Sequence, residues 1–183
     1  MKNNNNTKGF TLVEILMATA IFSILSVTIC GIFINASNLQ VQISNYQKLQ
    51  NDGRYITEKI AKELRSKDVV LPYPANNPTS SISFWPDEAG NKVRIYFDSS
   101  TGSLIYEKNG QGAELNSLDV KVANVDFFVY PVQDPFNINV ASATPDIQPR
   151  ITLLLEIVNK NTAPKYKKRL ILQTTISSRE YKR

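Results

Sequence analysis

The chain has 183 residues, of which 42% are hydrophobic, and carries a formal net charge of +5 at pH 7. It contains no histidine, which excludes His-based catalytic triads and the usual histidine-ligated metal sites, and its single cysteine excludes a disulfide within the chain. The sequence also lacks a glycine-rich phosphate-binding loop. We therefore expect a protein that is not an enzyme and uses no cofactor.

The first element is an apolar run over residues 10–34, in which the only charged residue is Glu14. As a helix the run would span roughly 37 Å, enough to cross a bilayer core of about 30 Å. It is too long for the apolar region of a cleaved signal peptide. Lys2 and Lys8 precede it, and the next basic residue is Lys48. The positive-inside bias therefore predicts a cytoplasmic N-terminus and an external C-terminal part.

The junction before this run is the most specific motif in the chain. It reads Lys8-Gly9-Phe10, with Glu14 five residues after the glycine. This arrangement resembles the processing site of type IV prepilins and type II secretion pseudopilins. The resemblance implies that a membrane peptidase cuts after Gly9 and N-methylates Phe10, and that Glu14 is the carboxylate used in assembly.

The same resemblance implies partners and a location. The expected partners are a prepilin peptidase, other pilin or pseudopilin subunits, the assembly platform, the Sec machinery and membrane lipid. The chain is expected in the cytoplasmic (inner) membrane as a single-pass protein, and then in a pilus or pseudopilus.

Gly9 and Glu14 also have roles that follow from their chemistry. Gly9 lacks a Cβ, so a peptidase can approach its backbone, and we favour this role over that of a plain helix-entry residue. A carboxylate within a membrane-length apolar segment is costly. The helix macrodipole offsets part of that cost at the first turn, and the Phe10 amine of a neighbouring subunit would neutralise the charge in a filament. The alternative is a carboxylate that only reaches the membrane interface, and the sequence leaves both open.

The apolar run continues into a predicted amphipathic helix. Apart from a gap at Gly53, its apolar residues recur at steps of three, four or seven and form one stripe. The stripe comprises Leu39, Ile43, Tyr46, Leu49, Ile56, Ile60 and Leu64. All nine prolines lie at Pro72 or later, while Gly31 and Gly53 are each tolerated in a helix at a cost of about 1 kcal/mol. Gly31 either loosens the membrane helix or packs against another helix. We predict one helix of about 60 residues, over 10–69, whose stripe covers a sheet.

Alternation with period two follows a proline-rich loop at residues 71–78. It predicts a short edge strand at 81–85 and further strands near 93–97, 104–106, 118–130, 151–157 and 170–176. A hairpin loop is predicted at 98–102, where Gly102 can adopt a positive φ. The predicted fold class is α+β, with a long N-terminal helix packed on an antiparallel β-sheet, as the pilin resemblance also implies.

These elements predict four segments. They are a leader peptide over 1–9, the transmembrane half of the helix over 10–34, its amphipathic half over 35–70, and an extracytoplasmic β-rich globular domain over 71–183.

Two polar features have competing interpretations. Asp134, Asn137 and Asn139 could offer oxygens to Ca²⁺, but we favour ordinary loop polarity as the explanation. Basic residues cluster at 165–169 and 179–183. For these we favour a solvated surface over a nucleic-acid contact, and the sequence does not decide between them.

The predicted function is a structural one, as a minor pilin or minor pseudopilin. Residues 53–56 and 63–65 of the helix and residues 172–179 resemble stretches of such minor subunits. The sequence does not distinguish a secretion system from a twitching, adhesion or DNA-uptake pilus. The alternative is a membrane-anchored extracellular binding module that does not polymerise, which would need neither cleavage nor Glu14.

Overall fold

A computed structural model describes residues 9–66, 77–84, 90–132, 150–160 and 163–177. By internal contacts the chain divides into two compact units, Met1–Ile43 and Ser44–Arg183, and the boundary falls within one long helix. Residues 71–76 of the predicted loop lie outside the described residues, and so do Asp134, Asn137 and Asn139. The predicted segment boundaries after residues 9, 34 and 70 stay predictions.

Helix α1 spans Leu12–Ser66, 55 residues without a break, which confirms the predicted long helix. Its predicted end at residue 69 lies outside the described residues. In the first unit the large apolar side chains of α1 up to Ile34 are all exposed, each residue retaining 55–76% of its surface. A helix that is apolar on every face needs lipid or other helices around it.

The second unit contains seven strands in its described part. They are β1 (Ser81–Phe84), β2 (Val93–Asp98), β3 (Ser103–Lys108), β4 (Gln111–Glu114), β5 (Val120–Tyr130), β6 (Arg150–Asn159) and β7 (Arg169–Ser177). Strands β1 to β4 form one antiparallel sheet and β5 to β7 form another. The α+β class is confirmed, but the expectation of a single sheet is wrong. Strand β4 was also missed, because it is exposed at every position and shows no apolar alternation.

Burial alternates along β5 and β6, as the period of two that predicts the strands requires. Val125, Phe127 and Val129 of β5 are buried opposite the buried Leu155, Leu153 and Ile151 of β6. Val93 and Ile95 of β2 belong to the same core. Burial of each such side chain contributes roughly 1.5–3 kcal/mol relative to exposure, so a continuous apolar cluster holds the two sheets and the helix together.

The two sheets are joined along β5. Thr79 and Phe127 exchange backbone hydrogen bonds of 3.0 and 2.8 Å, and the Val122 amide donates to the Gly102 carbonyl at 2.8 Å. The buried Asn116 accepts from the Leu104 amide at 2.9 Å and donates to the Val120 carbonyl at 2.8 Å. These bonds satisfy buried polar groups that the end of one sheet would otherwise leave unpaired.

The apolar stripe of α1 is buried over part of its predicted length. Leu49, Ile56, Ile60 and Leu64 are at most 1% exposed, as predicted. The assignment of the other three residues to the buried face is wrong, since Leu39, Ile43 and Tyr46 are 57%, 50% and 42% exposed. The spacing of apolar residues identifies a face of a helix, but not how far along the helix its partner surface extends.

Gly53 marks a close approach of α1 to the three-stranded sheet. It is buried, and a Cβ there would overlap the Leu172 side chain and lie 3.2 Å from Cδ1 of Ile157. The gap in the stripe is therefore a packing position rather than only a tolerated helix breaker. Glycine lets the helix backbone sit directly on the side chains of β6 and β7.

A polar cluster ties α1 to the four-stranded sheet. The Tyr106 hydroxyl of β3 donates to Oε1 of Glu63 at 3.1 Å, and Lys59 Nζ lies 3.5 Å from the same oxygen and 4.7 Å from the Tyr106 ring centroid. Burial, followed by the charge of Glu63 and its hydrogen bond, raises the pKa of Tyr106 to about 12. A phenol is neutral at physiological pH even at its ordinary pKa of about 10, so the raised pKa extends its hydrogen bond to Glu63 into the alkaline range.

The burial pattern of the stripe can be tested by alanine substitution in a fragment that starts near Ser37, which we expect to be a soluble, folded α/β monomer. Ile60→Ala removes a fully buried side chain and should lower the free energy of unfolding by about 2–5 kcal/mol. Tyr46→Ala, at an exposed position of the same stripe, should change the free energy of unfolding by less than about 0.5 kcal/mol. Urea unfolding measures both, and equal losses would contradict the assignment.

The packing role of Gly53 can be tested in the same fragment. Gly53→Val should lower the free energy of unfolding by about 1–3 kcal/mol, because a branched side chain has no room against Leu172 and Ile157. Gly53→Ala should be milder, since its gain in helix propensity, about 1 kcal/mol, offsets part of the strain. If Gly53→Val were as stable as the parent, the close approach would not constrain the fold.

Candidate processing and assembly site

Gly9 and Phe10 lie immediately before α1 and are open to solvent. Phe10 is 85% exposed. A Cβ placed on Gly9 would meet no atom within 4 Å. The peptide bond that joins the two residues is therefore accessible from the side of either residue, as a cleavage site requires.

Thr11 and Glu14 form a reciprocal cap on the first turn of α1. The Thr11 amide and hydroxyl donate to Oε2 of Glu14 at 2.9 and 3.1 Å. In return, the Glu14 amide donates to the Thr11 hydroxyl at 3.3 Å. This is a capping box, and the carboxylate also faces the positive end of the helix macrodipole. The cap was not predicted, although the Thr-x-x-Glu spacing that signals a capping box is present in the sequence.

The cap engages only one oxygen of the Glu14 carboxylate. Oε2 accepts both Thr11 bonds, whereas Oε1 accepts none from the described residues. Glu14 is exposed, so Oε1 is open to a donor from outside the chain. A carboxylate held in one rotamer with a free oxygen can accept a hydrogen bond from a cation with little further loss of side-chain entropy.

The helix that follows is long and apolar enough to be a candidate membrane span, by length and composition. Four hydroxyl side chains interrupt its apolar surface, and each donates to a carbonyl of the preceding turn. They are Thr19, Ser23, Ser26 and Thr28, with distances of 2.8–3.0 Å to the residue four positions earlier. These hydroxyls are thus satisfied within the helix, as a lipid environment demands.

Comparison with known families bears on this segment. A family model for the prokaryotic N-terminal methylation motif matches residues 4–29. The chain carries a prepilin-type N-terminus. The match supports the predicted likeness to type IV prepilins and pseudopilins, and it includes Gly9, Phe10 and Glu14. No curated protein and no solved structure matches the chain significantly.

A prepilin-type N-terminus points to a structural protein rather than an enzyme, and together with the apolar helix it fits an inner-membrane-anchored protein that enters a pilus. Within the described residues, no group of three or more Cys, Asp and Glu side chains could hold a metal ion. Asp134, Asn137 and Asn139 lie outside those residues, so a calcium site there stays untested.

Proposed function

We propose that the chain is a minor pilin or minor pseudopilin, a structural subunit of a type IV pilus-like or type II secretion filament. A prepilin peptidase cuts between Gly9 and Phe10 and methylates the new amino terminus. The observation that carries the proposal is the position of Glu14, a carboxylate in the first turn of an exposed apolar helix and within the matched methylation motif. An anchor without assembly would use Glu14 only to cap its own helix, which engages Oε2 of the carboxylate and not Oε1.

The exposed apolar surface of α1 suits both the membrane-inserted subunit and the assembled filament. Before assembly, lipid covers the transmembrane segment over 10–34, with the leader on the cytoplasmic side and the C-terminal domain outside, as the flanking lysines predict. After assembly, the helices of neighbouring subunits replace the lipid. Lipid and apolar side chains solvate the helix about equally well. The replacement of lipid by other helices therefore gains little free energy from apolar contact alone, and such contact does not fix the axial position of one helix against another.

Electrostatic pairing of Glu14 supplies that register. Cleavage converts the amide of Phe10 into an ammonium group, which is expensive to leave unpaired in a low-dielectric filament core. The free Oε1 of Glu14 in one subunit can accept from the terminal amine of its neighbour, while Oε2 continues to cap its own helix. Two helices then fit only at the axial offset that brings these groups together.

Maturation is tested by co-expression with a prepilin peptidase and measurement of the intact mass. The mass should fall by that of residues 1–9 and rise by one methyl group on Phe10. Gly9→Val should block cutting while membrane insertion continues, because a branched side chain obstructs the approach to the backbone. A chain that keeps Met1 beside a peptidase shown to be active on another substrate would favour the anchored binding module.

Assembly is tested with Glu14→Gln, which separates the two roles of this residue. Glutamine can still close a capping box, but it cannot neutralise an ammonium group. Because an unpaired charge costs several kcal/mol in a low-dielectric core, the amount of the variant recovered in sheared filaments should drop at least tenfold. Glu58→Gln, at an exposed site where the described residues offer one ion-pair partner, Arg54, is the matched control and should assemble normally. If Glu14→Gln and the parent were recovered equally at equal membrane abundance, the proposal that Glu14 sets the axial register would be contradicted.

A further inference from the structure

A cationic cleft of about 690 Å³ opens beside the three-stranded sheet. Strands β5 and β6, the residues that lead into β7, and the hairpin between β2 and β3 line it. Its apolar part includes Phe97, Val122 and Val158. Its charged part consists of Lys121, Glu156, Lys167, Lys168 and Arg169.

The charges of this cleft are only partly balanced by the described residues. Glu156 accepts from Arg169 at 2.6 Å, so these two side chains neutralise each other. No ion pair joins Lys121, Lys167 or Lys168 to another residue in the described ranges. Three like charges at one concave surface raise the local positive potential and favour an anionic ligand.

The hairpin between β2 and β3 fixes the position of Lys121. Gly102 of that hairpin has a φ of +69°, and a Cβ there would collide with the methylene chain of Lys121, which lies across the glycine. The Gly102 carbonyl also accepts from the amide of Val122, the next residue of β5, at 2.8 Å. One side of the lysine stem thus lies against the hairpin, which leaves the ammonium group less rotamer freedom to lose on binding.

Asn159 fixes the segment that carries the other two lysines. Its side chain is buried, donates to the Tyr166 carbonyl at 2.9 Å and accepts from the Lys168 amide at 2.6 Å. Its own amide donates to the Lys168 carbonyl at 3.3 Å. The backbone at Lys167 and Lys168 is therefore tied to the end of β6 before any ligand binds.

We propose that this cleft binds an acidic peptide segment of another protein. Carboxylates of the segment pair with Lys121, Lys167 and Lys168, while its apolar side chains cover Val158 and the rim of Phe97. A nucleic-acid backbone fits less well, because its phosphates would pair with the lysines but leave the apolar part of the lining uncovered. Phe97, the one aromatic side chain among the described lining residues, packs against the core rather than offering a face for a base to stack on. The inference does not depend on filament assembly.

The test uses the full chain in detergent and a fluorescein-labelled peptide of alternating glutamate and leucine, with binding followed by fluorescence anisotropy at low salt. The peptide should bind, and a glutamine–leucine peptide of the same length should not. The double variant Lys121→Gln/Lys168→Gln should weaken binding by roughly fivefold for each lysine removed. The control Lys62→Gln/Lys108→Gln removes the same charge at exposed sites outside the cleft and should leave the affinity unchanged.

Three results would overturn the proposal. The first is a glutamate–leucine peptide that does not bind, and the second is an equal loss of affinity in the control double variant, which would indicate attraction to net charge alone. The third is tighter binding of an oligothymidylate of matched length, lost in the cleft variant, which would assign the cleft to a nucleic-acid backbone.

Discussion

The exposed apolar surface of α1 up to Ile34 is the constraint that shapes the N-terminal unit. Water would penalise it at roughly 25 cal/mol per Å², so lipid or other helices must cover it. This requirement explains why each of its serine and threonine hydroxyls that donates a hydrogen bond does so to a carbonyl of the same helix. The same requirement explains how this apolar segment accommodates the charge of its one carboxylate. Glu14 lies in the first turn, where Thr11 and the helix dipole stabilise it, and one oxygen stays open to a partner.

Within the C-terminal unit the same helix meets a different constraint, close packing against strands. Gly53 removes the side chain at the point where α1 lies on Leu172 and Ile157. Two hydrogen bonds to side chains of α1 accompany that contact. Asp52 accepts from the Ser117 amide at 2.8 Å, and Glu63 accepts from the Tyr106 hydroxyl at 3.1 Å. One helix thus combines an exposed apolar segment with a segment that is fixed to a folded domain.

Features repeated along the sequence were predictable, and those that depend on which segments meet were not. The helix, the hairpin at Gly102 and the inner faces of β5 and β6 followed from periodicity and turn chemistry. The division into two sheets did not, because alternation specifies the faces of a strand but not its neighbours. For the same reason the extent of the buried stripe, the packing role of Gly53 and the cationic cleft became visible only in the structure. The proposed residues of the N-terminal site could be named from the sequence alone, because its motif is contiguous.

Zero-length carbodiimide crosslinking of filaments, followed by mass spectrometry, tests most directly whether Glu14 pairs with the terminal amine of a neighbouring subunit. Isotopically mixed subunits distinguish links between chains from links within one chain. The Lys48–Asp119 pair, with 2.7 Å between Nζ and Oδ2, provides an internal control for coupling. Pairing predicts a link between Glu14 of one chain and the amino-terminal residue of another. Filaments in which Lys48 and Asp119 couple while Glu14 forms no link between chains would contradict it.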